Sequence, residues 1–144
     1  MSDGSEFTTL RAFVAQADNL YNGITPVAIA SDGRLYFTTP VGGRDAVGGL
    51  GRMSADGTEY SVLKSFSRSG TAATYPRGEL IRGTNGALYG ITERGGNWDH
   101  GTVFRVGSDG AGYSIIHSFG GSPGDPADPR AGVIEGRDGF LYGT

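Results

Sequence analysis

Shifted by 53 residues, the chain lies on itself without a gap. Gly33 falls on Gly86 and Gly139, Leu35 on Leu88 and Leu141, and Tyr36 on Tyr89 and Tyr142. Further along, Gly42-Gly43 falls on Gly95-Gly96, Arg52 on Arg105, Asp56-Gly57 on Asp109-Gly110, and Phe66 on Phe119. The same offset run backwards takes Asp56-Gly57 to Asp3-Gly4, Tyr60 to Phe7, Leu63 to Leu10 and Phe66 to Phe13. A fixed period of this length means that each copy is one supersecondary unit, unable to bury its apolar faces except against its neighbours.

Within a copy, Asp-Gly and Asn-Gly pairs mark where strands reverse, because both residue types tolerate the positive φ of tight type I′ turns. They stand at Asp32-Gly33, Asn85-Gly86 and Asp138-Gly139, and again at Asp3-Gly4, Asp56-Gly57 and Asp109-Gly110. Between them the second copy offers four short strands, A over 78–82, B over 87–92, C over 101–106 and D over 113–119. The B–C loop carries Gly95-Gly96, and the long D-to-A connection ends at Pro76 or Pro129. No segment has a helical period.

The expectation is an all-β fold of β-propeller blades, four antiparallel strands to each 53-residue repeat. A stack of small β-modules or a β-solenoid is the alternative, although solenoid coils are shorter and need no runs of Asp-Gly hairpins. The phase divides the chain into residues 1–13 as the end of a blade (strand D), 24–66 and 77–119 as two whole blades, and 130–144 as strands A and B of a further one. Eleven strands are too few to close a ring alone, so the chain reads as a fragment of a longer propeller or as one part of a cyclic homo-oligomer, two chains giving six blades or three giving nine. Such a composite would lack a conventional strand C.

One detail tests the B–C hairpin separately. The first copy has Phe37 where the second has Gly90, and Gly51 where the second has Phe104. The bulky residue has changed strands. Folding about the middle of the loop brings 37 opposite 51 and 90 opposite 104, so each Phe is expected to cover its cross-strand Gly on one sheet face.

Composition narrows the chemistry. The 27 glycines among 144 residues lack a Gly-X-Y period, and 10% aromatic content argues against disorder. A net charge of −3 with twelve scattered Lys and Arg makes nucleic acid and anionic membrane poor partners. Cysteine is absent, which removes disulfides, thiolate nucleophiles and sulfur metal sites. No apolar run is long enough to span a bilayer, and no charged-then-apolar leader opens the sequence, so no membrane insertion is expected.

Candidate chemistry is sparse. His100 and His117 fall in different parts of the repeat, with Val47 and Lys64 as counterparts, and supply no convergent metal or catalytic set. Most carboxylates belong to the Asp-Gly turns. Asp125 and Asp128, in the loop over 120–129, are too few oxygens for calcium and read as parts of a rigid surface turn. Trp98, the only tryptophan, lies in the B–C loop beside Asn97 and Asp99, where it can stack on a sugar or anchor a partner. Its counterpart is Asp45, so it stands outside the repeating architecture. Tyr36, Tyr89 and Tyr142 recur with the period and read as inter-blade core. The expectation is therefore no catalytic residue, no metal and no cofactor, with Asn97, Trp98 and Asp99 as the ligand or partner contact.

The run Asn85-Gly86-Ala87-Leu88-Tyr89-Gly90-Ile91-Thr92, followed by Gly95-Gly96, Gly101-Thr102-Val103-Phe104, Asp109-Gly110 and Ser118-Phe119, resembles the GloVer tandem repeat. The resemblance covers essentially the whole chain, and the first copy departs from the pattern at Phe37, Gly49 and Gly51. It implies a propeller-like repeat of exported bacterial proteins, extracellular or on the cell surface, with no established activity. Two readings of function follow. One is a non-enzymatic binding or structural scaffold that associates with itself; the other is a lectin-like or glycan-processing module using the Trp98 loop.

Overall fold

In a computed structural model the described residues are 9–13, 20–21, 23, 25–30 and 32–143. They contain twelve strands and no helix: β1 (Leu20–Tyr21), β2 (Ala28–Ile29), β3 (Leu35–Thr39), β4 (Val41–Gly42), β5 (Gly49–Met53), β6 (Ser61–Ser65), β7 (Thr74–Arg82), β8 (Leu88–Arg94), β9 (Thr102–Val106), β10 (Ser114–Ser118), β11 (Val133–Glu135) and β12 (Leu141–Gly143). All pairing is antiparallel. Two sheets are four-stranded meanders, β2-β3-β5-β6 and β7-β8-β9-β10, and β11-β12 begins a third; β1 pairs with β4. The described residues do not close a ring. Of the segment expected as a first strand D, residues 1–8 lie outside the described residues and 9–13 carry no strand.

The hairpins form where expected, but not with type I′ turns. Gly83 donates its N–H to the Ala87 carbonyl and accepts from the Gly86 N–H, at 2.8 and 2.9 Å. Of the three loop residues only Gly86 has positive φ, at 80°. A bonded turn without positive φ at its centre is type I, and the left-handed glycine after it makes a bulge that restores the strand twist. Asn85 serves by its side chain instead, accepting the Ala87 N–H at 3.0 Å. Asp56, Asp109 and Asp138 do the same for Thr58, Ala111 and Phe140.

Strand A of the second sheet is longer than the 78–82 expected, because β7 runs through Pro76 and its ladder with β8 is interrupted between Arg77 and Ile81. Gly78, at φ 66°, sits in that interruption. Proline has no N–H to give to a ladder, and the end position of β7 in its sheet tolerates that.

The Phe/Gly expectation is met in both sheets. Phe37 pairs with Gly51 and Gly90 with Phe104. A Cβ on Gly51 would stand 2.7 Å from the Phe37 ring, and one on Gly90 would stand 2.6 Å from the Phe104 ring. Each ring occupies the space its partner leaves, so one rung holds one aromatic and no more.

Strands β8 and β9 are buried on both faces because each sheet packs between neighbours. Tyr36, Leu50, Phe66, Leu80, Leu88 and Phe104 share the core between the two full sheets. Phe66 meets Phe104 edge-on at 5.5 Å, with Tyr113 at 6.0 Å. The seam before the first sheet repeats this group: Phe13 meets Phe37 at 5.3 Å and Tyr60 at 5.7 Å. Phe37 has taken the part played by Phe104. A cation caps the Tyr ring in each seam, the Arg11 guanidinium 4.2 Å from the Tyr60 centroid and the Lys64 ammonium 4.5 Å from the Tyr113 centroid.

The Tyr113 hydroxyl is buried without a hydrogen-bond partner, and burial pushes its pKa up to about 12. A folded pKa above the unfolded value near 10 contributes stability that is complete below pH 10 and is lost as pH rises toward 12. Tyr113→Phe is therefore expected to match or exceed the parent by up to about 1 kcal/mol at pH 7. It should also lose less between pH 10 and 11, as read by urea midpoints at each pH.

Candidate interaction surface

The seam after the second sheet is built from the same positions as the one before it. Tyr89, Val103, Phe119, Val133 and Leu141 take the places of Tyr36, Leu50, Phe66, Leu80 and Leu88, one period on. Beside them lies a cavity of about 470 Å³, lined by Ile91, Val103, Ile116, Phe119, Val133 and Leu141 among others. Ile116 is 47% exposed, whereas its counterpart Leu63 packs against the core between the two full sheets. Tyr142, expected in an inter-blade core, is half exposed. Its hydroxyl donates to Asp138 Oδ2 at 2.6 Å, which holds the Asp138 carboxyl below the usual range.

A repeated irregularity aims side chains across these seams. The β5–β6 ladder skips Leu63 and the β9–β10 ladder skips Ile116, so one extra residue bulges from the last strand of each sheet. Leu63 lands on the turn of the next sheet, where a Cβ on Gly110 would lie 3.3 Å from its Cβ. Ile116 is offered to the cavity.

At the loop end, Asn97 and Trp98 are exposed, Trp98 by 50%. Asp99 is taken up locally: its φ is 58°, Oδ1 accepts the Gly95 N–H at 2.8 Å, and its carbonyl accepts from Arg94. The structure therefore leaves Trp98 and Asn97 available and commits Asp99 to shaping the loop. Both histidines reach the loop over 120–129, which their separate places in the repeat did not foretell. His117 Nε2 lies 3.1 Å from Asp125 Oδ1, and His100 Nδ1 lies 4.0 Å from Asp128 Oδ1, with Arg94 at 3.7 Å. The Gly121 N–H, and after it His117, lowers the Asp125 pKa. Among the described residues no three His, Asp or Glu converge as metal ligands do.

A family model described as the Gloeobacter/Verrucomicrobia repeat matches residues 1–144. The chain belongs to the Gloeobacter/Verrucomicrobia repeat family. No curated protein matches it. The family description names a repeat, and neither a ligand nor a reaction.

Proposed function

We propose that this Gloeobacter/Verrucomicrobia repeat chain is a stretch of β-propeller, each meander a blade, acting as a non-enzymatic scaffold outside the bacterial cell. Copies of it associate into a closed ring. The observation that carries this is the repeated meander, whose equivalent positions form a core between each sheet and the next. Ile116, Ile134, Phe140 and Tyr142 present exposed apolar surface that association can cover. Support for the radial arrangement comes from β7 and β11, the first strands of successive sheets, each packing on the sheet before it.

Light scattering coupled to size exclusion tests the ring. The expected mass is two or three times 14.9 kDa; a single 14.9 kDa species over the micromolar to millimolar range would contradict self-association.

A second reading is favoured by Trp98, half-exposed beside the exposed Asn97. A flat indole between polar groups suits a sugar ring. A glycan array would show hits that Trp98→Ala abolishes; an array without hits, or hits indifferent to that change, eliminates it.

A further inference from the structure

We propose that the cleft between the two full sheets, at their loop end, binds the carboxylate of a small organic acid through Arg68, Arg94 and the Tyr75 hydroxyl. Every residue of the site belongs to the stretch 47–99, and the site asks for no association. It therefore stands or falls apart from the ring.

The cleft holds a cavity of about 400 Å³, lined by Val47, Arg68, Tyr75, Arg94, Gly96 and Asp99 among others. That volume falls within the range of small-molecule sites. Its walls are the connection that leaves β6, the start of β7, and the loop between β8 and β9. Backbone bonds fix it: Gly96 donates its N–H to the Thr71 carbonyl at 3.0 Å, and Tyr75 donates its own to the Val47 carbonyl at 2.9 Å. Tyr75 holds a φ of 56°. A bulky residue keeps that left-handed backbone only where its surroundings impose it, and such residues gather at functional sites. The Tyr75 hydroxyl stands 3.2 Å from Arg68 Nη2.

The hydrogen-bonding capacity left over is on the donor side. Arg68 gives Nε to the Asp45 carbonyl and Nη2 to Tyr75, while Arg94 gives Nη1 to the Asp99 carbonyl. Among the described residues, Arg68 Nη1, Arg94 Nε and Arg94 Nη2 have no protein partner, and the Tyr75 hydroxyl, having accepted from Arg68, keeps its hydrogen to give. No carboxylate is ion-paired with Arg68 among those residues, and the one beside Arg94 is Asp128, at 3.7 Å. A carboxylate has two acceptor oxygens and no donor, and a guanidinium meets it two bonds at a time. Asp45, Asp99 and Asp128 also stand around the two arginines, so a single negative charge is admitted more readily than a phosphate dianion.

The repeat does not demand these donors. One period on, Gly121 stands in the place of Arg68 and Asp128 in that of Tyr75; one period back, Val41 stands in the place of Arg94. The set is peculiar to this seam.

Calorimetry of the full chain with glucuronate, glucose and glucose 6-phosphate tests the site, because the three share a ring and differ in charge. Saturable binding of glucuronate is expected, with a Kd below about 10 mM, and none of glucose. Arg68→Gln and Arg94→Gln should each weaken glucuronate about tenfold or more, and Tyr75→Phe about threefold. Arg94→Gln keeps the test decisive if Arg68→Gln does not fold: the Arg94 side chain is 45% exposed, so its loss should move the thermal midpoint by no more than about 2 °C. Absence of glucuronate binding up to about 50 mM overturns the proposal, as does equal affinity for glucose or affinity indifferent to the arginine changes. Tighter binding of glucose 6-phosphate than of glucuronate overturns it as well, and makes the cleft a phosphate site.

Discussion

Replacing Phe104 by alanine is expected to destabilise the fold by about 3–5 kcal/mol, the range for a large aromatic removed from a closed core. Its side chain is fully buried, and it stands between Phe66 at 5.5 Å and Tyr113 at 5.9 Å while covering Gly90. Because Gly90 has no side chain to move into the vacated space, the cavity cannot collapse from that side. Domains of this size hold a total of about 5–15 kcal/mol, so the loss takes a large share of it. Thermal unfolding should fall by roughly 10 °C, read by circular dichroism. Phe140→Ala is the control: at 68% exposure it should change stability by less than about 0.5 kcal/mol.

The second large effect belongs to the B–C loop. Gly48, at φ 90°, donates its N–H to Gly42 and accepts from Phe66 through its carbonyl, so it ties the loop to the end of the sheet. A Cβ there would run into the Thr39 carbonyl oxygen and stand 2.8 Å from Pro76 Cδ. Gly101 repeats the arrangement against Pro129. Gly48→Ala combines left-handed backbone strain of about 1–2 kcal/mol with overpacking of about 1–3 kcal/mol. The expected loss is therefore about 2–5 kcal/mol, seen as a lower urea midpoint. Gly124→Ala separates the two contributions, since Gly124 has the same φ of 90° and nothing within 4 Å of its added Cβ. It should show the backbone strain alone.

How much of this could be read from the residues depends on the range of the interaction. Strands B and C were legible to within a residue or two, because their ends are set by local turn chemistry that Asp56, Asn85 and Asp109 display openly. The rung between Gly90 and Phe104 was legible because two copies solve one packing problem in opposite ways. The turn type was not: Asn-Gly suits type I′, but the three-residue loop uses only the glycine's left-handed conformation. The start of β7 at Thr74 was hidden by Pro76, whose effect on a strand depends on whether that strand lies at a sheet edge. The His117–Asp125 contact and the exposure of Tyr142 depend on what packs beside them, and no local signal carries that. The expected contact residues Asn97, Trp98 and Asp99 are all exposed, and Asp99 also bonds the Gly95 N–H of its own loop.

The account rests on one ring to one rung, with the ring free to come from either strand. Its most direct test is a double-mutant cycle in the second sheet, Gly90→Phe and Phe104→Gly singly and together. The background carries Leu80→Val, since Val27 holds that place in the first copy and Leu80 Cδ2 would stand 2.9 Å from a Cβ on Gly90. Each single change should lose about 3 kcal/mol or more, one by overfilling the rung and the other by emptying it. Together they recreate the Phe37/Gly51 arrangement and should recover to within about 1.5 kcal/mol of the background, a coupling above the usual upper end for residues in contact. A double variant no more stable than the sum of its parts would contradict the shared rung.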